Sequence, residues 1–308
     1  MKWQGVFSAI TTPFREDLSV EQPFLARHAD LLVGAGCTGI VALGSLGESA
    51  VLTFEEKVAI LKTLRGAIGA RAPLVAGIAS LSTREACDLA REAEREGCEG
   101  LMVLPPYVYR GDDRETEAHF SAVLSATSLP CMLYNNPIAY GTDVLPPRIA
   151  ALAVQHANLA AVKESRADIR RITELKALVG ERLALFVGVD DLIVEGIAAG
   201  AVGWIAGLVN ALPVESVRLF DLAREGRSAE AAPLYGWFLP LLRLDTLPKF
   251  VQLIKLVQQE VGLGSERVRP PRLVLDGVER EATLRLIRQC LAARPSREAG
   301  ATGRPRLP

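Results

Sequence analysis

Eight repeats of a short apolar run followed by a helix-like segment constrain the fold of this chain more than any other feature. The apolar runs span residues 5–10, 38–43, 73–78, 100–104, 129–134, 159–163, 183–187 and 202–206. Each run has the length and composition of a buried strand, and apolar residues at helical spacing follow it. Strands that alternate with helices indicate a parallel sheet covered on both faces, which is the arrangement of an α/β protein.

The number and spacing of these units favour a closed barrel. Eight strand–helix units within the first 225 residues match a (β/α)8 TIM barrel in count and length. An open, doubly wound sheet is the alternative, and the regularity of the eight units disfavours it. Two helix starts carry their own signature, because Thr53 and Ser82 are each followed three residues later by a glutamate, as in a capping box.

The pattern changes after Gly226. Residues 229–242, 247–261 and 279–292 have apolar residues at helical spacing. We therefore predict three regions in this chain. These are a (β/α)8 barrel over residues 1–225, a small C-terminal helical appendage over residues 226–293, and a disordered tail over residues 294–308, which is rich in proline, glycine and arginine.

Charge and composition narrow the functional classes. The formal net charge is −1 over 308 residues, which predicts binding neither to nucleic acid nor to an anionic membrane. No apolar run reaches the ~18–20 residues of a membrane span, and the N-terminus lacks a signal-peptide pattern. The five cysteines are scattered without a Cys-x-x-Cys, as expected for free thiols in a reducing cytoplasm. The three histidines lie far apart in sequence, so no metal site is predicted.

One lysine stands at the C-terminal end of the sixth predicted strand, in Leu159-Ala160-Ala161-Val162-Lys163-Glu164. Lysine is rarely fully buried without a partner, so its place there needs a reason. Either its stem lies along apolar surface with the ammonium group in water, or its amine is desolvated enough to attack carbonyl groups.

Polar turns leave the C-terminal ends of two other strands. The glycines of residues 44–48 let backbone N–H groups and the Ser45 hydroxyl converge on an anion such as a carboxylate, with an ordinary turn as the alternative. In Tyr134-Asn135-Asn136-Pro137 the tyrosine serves either as a general acid/base or as apolar filling of the barrel. Barrel enzymes place their active sites at this rim, so Ser45, Tyr134 and Lys163 together predict a catalytic site.

These three segments resemble the motifs of the dihydrodipicolinate synthase / N-acetylneuraminate lyase family of class I aldolases. Gly44-Ser45-Leu46-Gly47-Glu48-Ser49 is similar to the family's G-[ST]-x-G-E, and Tyr134-Asn135-Asn136-Pro137 to its Y-N-x-P. Val162-Lys163-Glu164-Ser165 is similar to its [IVF]-K-[ED]-[SA]. The motifs occur in the family's order and at its spacing, and the resemblance covers nearly the whole chain.

The resemblance implies a mechanism and a role for each residue. Lys163 is expected to form a Schiff base with the carbonyl of a 2-oxo acid, typically pyruvate or a substrate that yields it. The imine withdraws electrons, so a carbon–carbon bond breaks or forms through an enamine without a metal or organic cofactor. Tyr134 is expected to shuttle the proton, with its hydroxyl oriented by Ser45. The substrate carboxylate is expected to lie beside Gly44, against Ser45 and the backbone N–H groups of Ser45 and Leu46.

Three departures from the family pattern bear on the substrate. Leu46 replaces a hydroxyl-bearing residue, usually threonine. Ala139 stands where true dihydrodipicolinate synthases carry an arginine, which clamps the carboxylate of the second substrate. The family's tyrosine from across the dimer interface falls at Val108, flanked by Tyr107 and Tyr109, and Tyr109 is predicted to contact the substrate. These departures disfavour the lysine-biosynthesis reaction.

The distal part of the pocket is predicted by analogy with family positions. It is expected to be lined by Tyr140, Gly188, Asp190 and Ile205. We expect the Asp190 carboxylate to hydrogen-bond a hydroxylated or amino-bearing substrate tail.

The predicted function is a cytoplasmic Schiff-base lyase that acts on a small, hydroxylated 2-oxo acid by aldol cleavage or condensation. One alternative is the dehydration or deamination of a related substrate, such as a hydroxy-pyrroline carboxylate. A second is 4-hydroxy-tetrahydrodipicolinate synthase, which Ala139 disfavours. A third is a barrel that binds a 2-oxo acid without turnover. The resemblance also implies a homo-oligomer built as a dimer of dimers.

Overall fold

A computed structural model describes residues 1–107 and 109–295 of the chain. Eight parallel strands close into a barrel in sequence order, and β8 pairs with β1 through Gly5 and Gly203. The strands are β1 (Gly5–Ala9), β2 (Gly39–Ala42), β3 (Leu74–Ile78), β4 (Gly100–Val103), β5 (Cys131–Asn135), β6 (Leu159–Glu164), β7 (Ala184–Val187) and β8 (Gly203–Ala206). The predicted TIM barrel is confirmed, and the open-sheet alternative is wrong because the last strand returns to the first.

Helices surround the barrel. They are α1 (Gln22–Gly34), α2 (Phe54–Ile68), α3 (Thr83–Arg95), α4 (Asp113–Ser125), α5 (Pro137–Tyr140), α6 (Pro146–Gln155), α7 (Arg170–Val179), α8 (Ile193–Ala198) and α9 (Pro213–Arg224). Thr53 forms a complete capping box with Glu56, whereas Ser82 accepts a bond from the Glu85 N–H group alone. The single turn of α5 was not predicted, and it places Tyr140 at the barrel mouth.

Three more helices follow the barrel: α10 (Ser228–Leu242), α11 (Phe250–Glu260) and α12 (Gly277–Ala292). A 3-10 turn over Arg243–Thr246 separates α10 from α11. None of the helices in the described part of the chain is long and apolar enough to cross a membrane. The boundary at residue 225 stays a prediction. Residues 296–308, most of the predicted tail, lie outside the described residues.

Aromatic side chains fill the N-terminal end of the barrel. The rings of Phe7 and Phe186 meet edge to face at 5.5 Å, and Trp3 lies 6.2 Å from Phe186. The first residues of β2 and β8 are glycines because these rings occupy the space of a side chain. A Cβ atom on Gly39 would lie 2.3 Å from Phe7, and one on Gly203 would lie 2.2 Å from Phe186. The N-terminal end of the barrel is therefore packed solid, as in other TIM barrels.

Candidate active site

A cavity of about 430 Å³ opens at the C-terminal ends of the strands. Its wall comes from the turns after several strands, from α5, and from the segment that joins α10 to α11. The volume is that of a pocket for a small molecule. The lining residues that enter the chemistry are Gly44, Ser45, Leu46, Tyr134, Asn136, Ala139, Tyr140, Lys163, Ser165, Gly188, Ile205 and Asp245.

Lys163 lies inside this cavity. It is 7% exposed, and its Nζ atom is 4.1 Å from the centre of the Tyr134 ring. Tyr134 and Lys163 are register partners on β5 and β6, so both side chains point to the same face. The amine is therefore held against an aromatic face with little access to water.

Gly188 makes room for the lysine stem. A Cβ atom at this position would lie 2.7 Å from Lys163 Cε and 2.0 Å from Ser165 Oγ. Any larger residue would therefore displace the lysine or the serine. The Ser165 hydroxyl is buried and has no hydrogen-bond partner among the described residues, which leaves it open to a bound molecule.

The hydroxyl groups of the cavity form two separate pairs. Asn136 Nδ2 donates to the Tyr134 hydroxyl at 2.9 Å, while Asn136 Oδ1 accepts from the Ala139 N–H group and caps α5. The Ser45 hydroxyl is hydrogen-bonded to Tyr140. The expectation that Ser45 orients Tyr134 therefore needs correction, because Asn136 holds the Tyr134 hydroxyl and Ser45 pairs with Tyr140. Burial raises the pKa of Tyr140.

Glu48 anchors the turn that carries Gly44, Ser45 and Leu46 to the C-terminal part of the chain. Glu48 adopts a left-handed backbone conformation, with φ of 56°, and its buried carboxylate forms a salt bridge of 2.5 Å with Lys255 of α11. The same carboxylate accepts a hydrogen bond from the Arg269 N–H group at 3.1 Å. Helix α11 and the segment that follows it thus support the turn where a carboxylate is expected to bind.

Comparison with known proteins identifies the family of this chain. The chain matches the sequence model of the dihydrodipicolinate synthetase family over residues 2–290. The chain belongs to the dihydrodipicolinate synthetase family. As a member of this family it is a lyase of the aldolase type.

Individual relatives are similar over most of their length. The chain is 32% identical over 286 residues to a 4-hydroxy-tetrahydrodipicolinate synthase of Pelobacter propionicus, covering 92% of this chain and 96% of that protein. It is 35% identical over 282 residues to 4-hydroxy-tetrahydrodipicolinate synthase 1 of Streptomyces coelicolor, covering 91% of this chain and 90% of the relative.

Solved structures of family members have the same fold. The 4-hydroxy-tetrahydrodipicolinate synthase of Methylacidiphilum fumariolicum SolV is 29% identical with a TM-score of 0.89, over 95% of this chain and 98% of that one. A prophage protein of the family from E. coli K12, solved in complex with pyruvate, is 27% identical with a TM-score of 0.88, over 94% of this chain and 99% of that one.

In this family member the structure brings most of the predicted site residues to one cavity. Those that line it are Gly44, Ser45, Leu46, Tyr134, Ala139, Tyr140, Lys163, Gly188 and Ile205. They come from three strands (β5, β6 and β8), from the turns after β2 and β7, and from α5. They meet because parallel strands of a barrel end at the same rim.

Two predicted residues do not reach the cavity. The Asp190 carboxylate is fully buried and accepts hydrogen bonds from Trp204 Nε1 at 2.9 Å and from the N–H groups of Gly207 and Leu208 at 3.0 and 2.7 Å. Its oxygens are thus occupied by the protein, so the expected bond to a substrate tail needs correction. Tyr109 is 59% exposed and lies outside the cavity wall. Its neighbour Val108 lies outside the described residues.

Four polar residues of the cavity were not predicted: Asn136, Ser165, Asp245 and Thr246. Asn136 and Ser165 belong to the motifs already identified. Each lies two residues after Tyr134 or Lys163 in the sequence, and this proximity could have indicated that they line the cavity. Asp245 comes from the C-terminal appendage, at the end of an apolar stretch. Only the fold places it in the same cavity as Lys163. Among the described residues, no group of three or more His, Cys, Asp or Glu side chains is arranged to hold a metal ion.

Proposed function

We propose that this lyase forms a Schiff base between Lys163 and the ketone carbon of a small 2-oxo acid. The observation that carries the proposal is the buried amine at the end of β6, with Nζ 4.1 Å from the Tyr134 ring centre inside a cavity of about 430 Å³. A desolvated lysine is a better nucleophile than one in water. The family member solved with pyruvate supports a 2-oxo acid as the ligand.

The proposed reaction begins at the Lys163 amine. The amine adds to the ketone carbon, and the adduct loses water to give a protonated imine. The imine accepts the electron pair of the bond between the third and fourth carbons when that bond breaks, and the hydroxyl on the fourth carbon loses its proton to become the carbonyl group of the aldehyde product. Protonation of the resulting enamine at the third carbon gives the pyruvate imine. Water then hydrolyses this imine, which releases pyruvate and the free amine of Lys163. Tyr134 is the proposed acid/base for these proton transfers, with its hydroxyl held by Asn136. No metal or organic cofactor enters these steps.

We place the substrate carboxylate at the turn of Gly44, Ser45 and Leu46. Backbone N–H groups in a glycine-containing turn form a concavity suited to an anion, and these residues line the cavity. The Leu46 side chain offers no hydroxyl to the carboxylate, so the backbone and Ser45 provide the polar contacts.

The proposed substrate is a hydroxylated 2-oxo acid, cleaved or formed by an aldol reaction. Dehydration or deamination of a hydroxy-pyrroline carboxylate is the second candidate, because it uses the same imine. Relatives 30–35% identical are named 4-hydroxy-tetrahydrodipicolinate synthase. Ala139 opposes that reaction here, since its methyl group gives no cation to a second carboxylate.

Borohydride trapping tests the proposal directly. With pyruvate, reduction of the wild-type protein is expected to leave one pyruvate-derived group on Lys163, located by peptide mass spectrometry. Lys163→Ala is expected to remove the adduct and the activity while the thermal unfolding curve is kept. Lys249→Ala, at an exposed lysine outside the cavity, is the matched control and should be trapped like the wild type.

Binding of pyruvate without an adduct would overturn the Schiff-base proposal and favour the non-catalytic alternative. The type of reaction is then determined by incubating the enzyme with a panel of substrates: 2-oxo acids, 4-hydroxy-2-oxoglutarate and hydroxy-pyrroline carboxylate. The release of pyruvate and of ammonia is measured for each substrate. Pyruvate release without ammonia supports the aldolase, and ammonia release supports the deaminase.

We further propose that the enzyme acts in the cytoplasm as a homotetramer, built as a dimer of dimers. The five cysteines are all free thiols in the structure, which suits a reducing compartment. Its proposed partners are the small-molecule substrate and other copies of the chain. We propose no binding to nucleic acid or to a membrane.

A further inference from the structure

One wall of the cavity comes from outside the barrel. The segment after α10 contributes Asp245, Thr246, Leu247, Pro248 and Phe250 to the lining. Among the described lining residues, Asp245 is the one acidic side chain and Lys163 the one basic side chain. The lining therefore carries a single acid, and this acid is within electrostatic reach of the proposed nucleophile.

The Asp245 carboxyl group lies next to Gly207, the residue that directly follows β8. A Cβ atom on Gly207 would lie 2.4 Å from Asp245 Oδ1 and 3.4 Å from Asp190 Oδ2. A larger residue than glycine would therefore push Asp245 away from this position. The carboxyl groups of Asp190 and Asp245 both lie close to Gly207, because Gly207 has no side chain to occupy that space.

The two carboxyl groups differ in their hydrogen bonds. Asp190 accepts from Trp204 Nε1 and from the N–H groups of Gly207 and Leu208, whereas Asp245 accepts from the Asp190 N–H group. Burial and the neighbouring Asp190 raise the pKa of Asp245 well above its ordinary value, and Lys163 opposes this shift. Two carboxylates side by side do not both ionise. Asp190 is fully buried and has three donors, so it keeps the charge, and the half-buried Asp245 keeps the proton.

A protonated carboxyl group both donates and accepts a hydrogen bond. Other polar groups of the cavity are already paired: Tyr134 with Asn136, and Ser45 with Tyr140. The Thr246 hydroxyl donates to the Arg243 carbonyl oxygen at 2.9 Å. Asp245 thus presents both hydrogen-bonding functions to the cavity, beside the apolar side chains of Leu247, Pro248 and Phe250. Among the described residues the buried Ser165 hydroxyl of the same cavity has no hydrogen-bond partner, which also indicates a polar ligand.

We propose that Asp245 recognises a hydroxyl group on the substrate tail and thereby selects 2-oxo acids hydroxylated beyond the ketone. This inference rests on the proposed Schiff-base function of Lys163. A hydroxyl matches a group that donates and accepts, and burying one without a partner is unfavourable. A tail that ends in a second carboxylate is disfavoured, because the described wall around Ala139 and Ile138 offers that carboxylate no cation and Asp245 is an acid.

The test compares two substrates that differ in one hydroxyl. Borohydride trapping on Lys163 is titrated with 4-hydroxy-2-oxobutanoate and with 2-oxobutanoate. The wild type is expected to prefer the hydroxylated acid by about 10- to 100-fold, the range of one buried hydrogen bond. In Asp245→Leu the preference should fall to about one, while pyruvate, which has no tail, is trapped as in the wild type.

Asp245→Asn separates recognition from folding. The amide also donates and accepts, so this variant is expected to keep most of the preference that Asp245→Leu loses. Asp191→Asn is the matched control, since Asp191 is the next carboxylate to Asp190 and does not line the cavity. It should leave the preference unchanged.

The outcomes separate the two proposals. If pyruvate is trapped but the wild type and Asp245→Leu show the same preference, the Asp245 proposal is overturned and the Schiff-base function stands. Stronger trapping of 4-hydroxy-2-oxoglutarate than of 4-hydroxy-2-oxobutanoate also overturns it, because the cavity would then bind a second carboxylate favourably. If the wild type traps no 2-oxo acid, the Schiff-base function fails and the Asp245 proposal with it.

Discussion

Tyr134 uses two parts of its side chain, the hydroxyl group and the aromatic ring, in the proposed reaction. Its hydroxyl accepts a hydrogen bond from Asn136 at 2.9 Å, and its ring lies against Lys163. The ring supports the lysine and the hydroxyl handles the proton, so the two parts of the side chain have different functions. A substitution that removes the hydroxyl alone therefore isolates the proton transfer.

Tyr134→Phe is expected to lower kcat by about 10²–10⁴, the usual contribution of a positioned acid/base, while trapping of pyruvate on Lys163 persists. Steady-state kinetics and trapping measure the two effects. Tyr235→Phe is the control, because the Tyr235 hydroxyl bonds to Asp191 and Glu195 away from the cavity. A Tyr134→Phe enzyme of near-normal rate would show that the proton moves through another group.

Glu164 follows the lysine but points to the opposite side of β6, as alternation along a strand requires. Its carboxylate accepts from Asn135 Nδ2 at 3.0 Å and from the Arg166 N–H group at 2.7 Å. Burial raises the pKa of Glu164 to about 7 from 4.5, because the donors do not fully replace water. Glu164 therefore binds a proton more tightly in the folded than in the unfolded protein.

The stability contribution of this proton is complete below about pH 4.5 and is lost as the pH rises through about 7. Its size is on the order of 3 kcal/mol at most. Glu164→Gln is expected to flatten the fall in unfolding free energy over this range, as measured by urea titration at several pH values. The exposed Glu174→Gln should leave the profile as it is, and a wild-type profile already flat would contradict the assignment.

At the scale of elements, the turn after β2 depends on a helix far away in sequence. Lys255 of α11 donates to Glu48 at 2.5 Å and to the Arg267 carbonyl oxygen at 2.7 Å, and both side chains of the ion pair are about 1% exposed or less. A buried charge that loses its partner is far more costly than an exposed one. The pair thus connects α11 to the turn that carries Ser45 and Leu46.

Lys255→Met is expected to lower the unfolding free energy by about 3–5 kcal/mol, because Glu48 is left buried without its partner. The KM for the 2-oxo acid should rise as the turn loosens. Lys249→Met breaks an exposed pair with Glu279 and should cost about 0–1 kcal/mol. Denaturant unfolding and steady-state kinetics measure both variants, and equal losses would show that the buried pair has no special role.

At the scale of the whole molecule, the two ends of the barrel have different functions. The N-terminal end is filled by Trp3, Phe7 and Phe186. The C-terminal end stays open, and the segment between α10 and α11 closes one side of it. The segment between α10 and α11 is therefore part of the cavity wall. Lys255 and Arg269 bind Glu48, and Asp245 lies beside Gly207. The same region thus contributes to stability and, by the proposal above, to substrate selection.

The sequence by itself determined the barrel and the rim on which we propose that its chemistry lies. Strand and helix periods are local, and parallel strands in a closed barrel all end on one side, so residues directly after β2, β5 and β6 had to meet. That reasoning placed Ser45, Tyr134 and Lys163 in one cavity.

Only the tertiary structure decided the partners of these groups. Asp190 was expected to reach the substrate but is bonded to Trp204 and two N–H groups, and Ser45 pairs with Tyr140 instead of Tyr134. Asp245 enters the cavity through the packing of residues 243–250, far along the chain from Lys163. Hydrogen-bond donors and acceptors compete for partners in three dimensions, and no periodicity in the sequence records which pair is nearest.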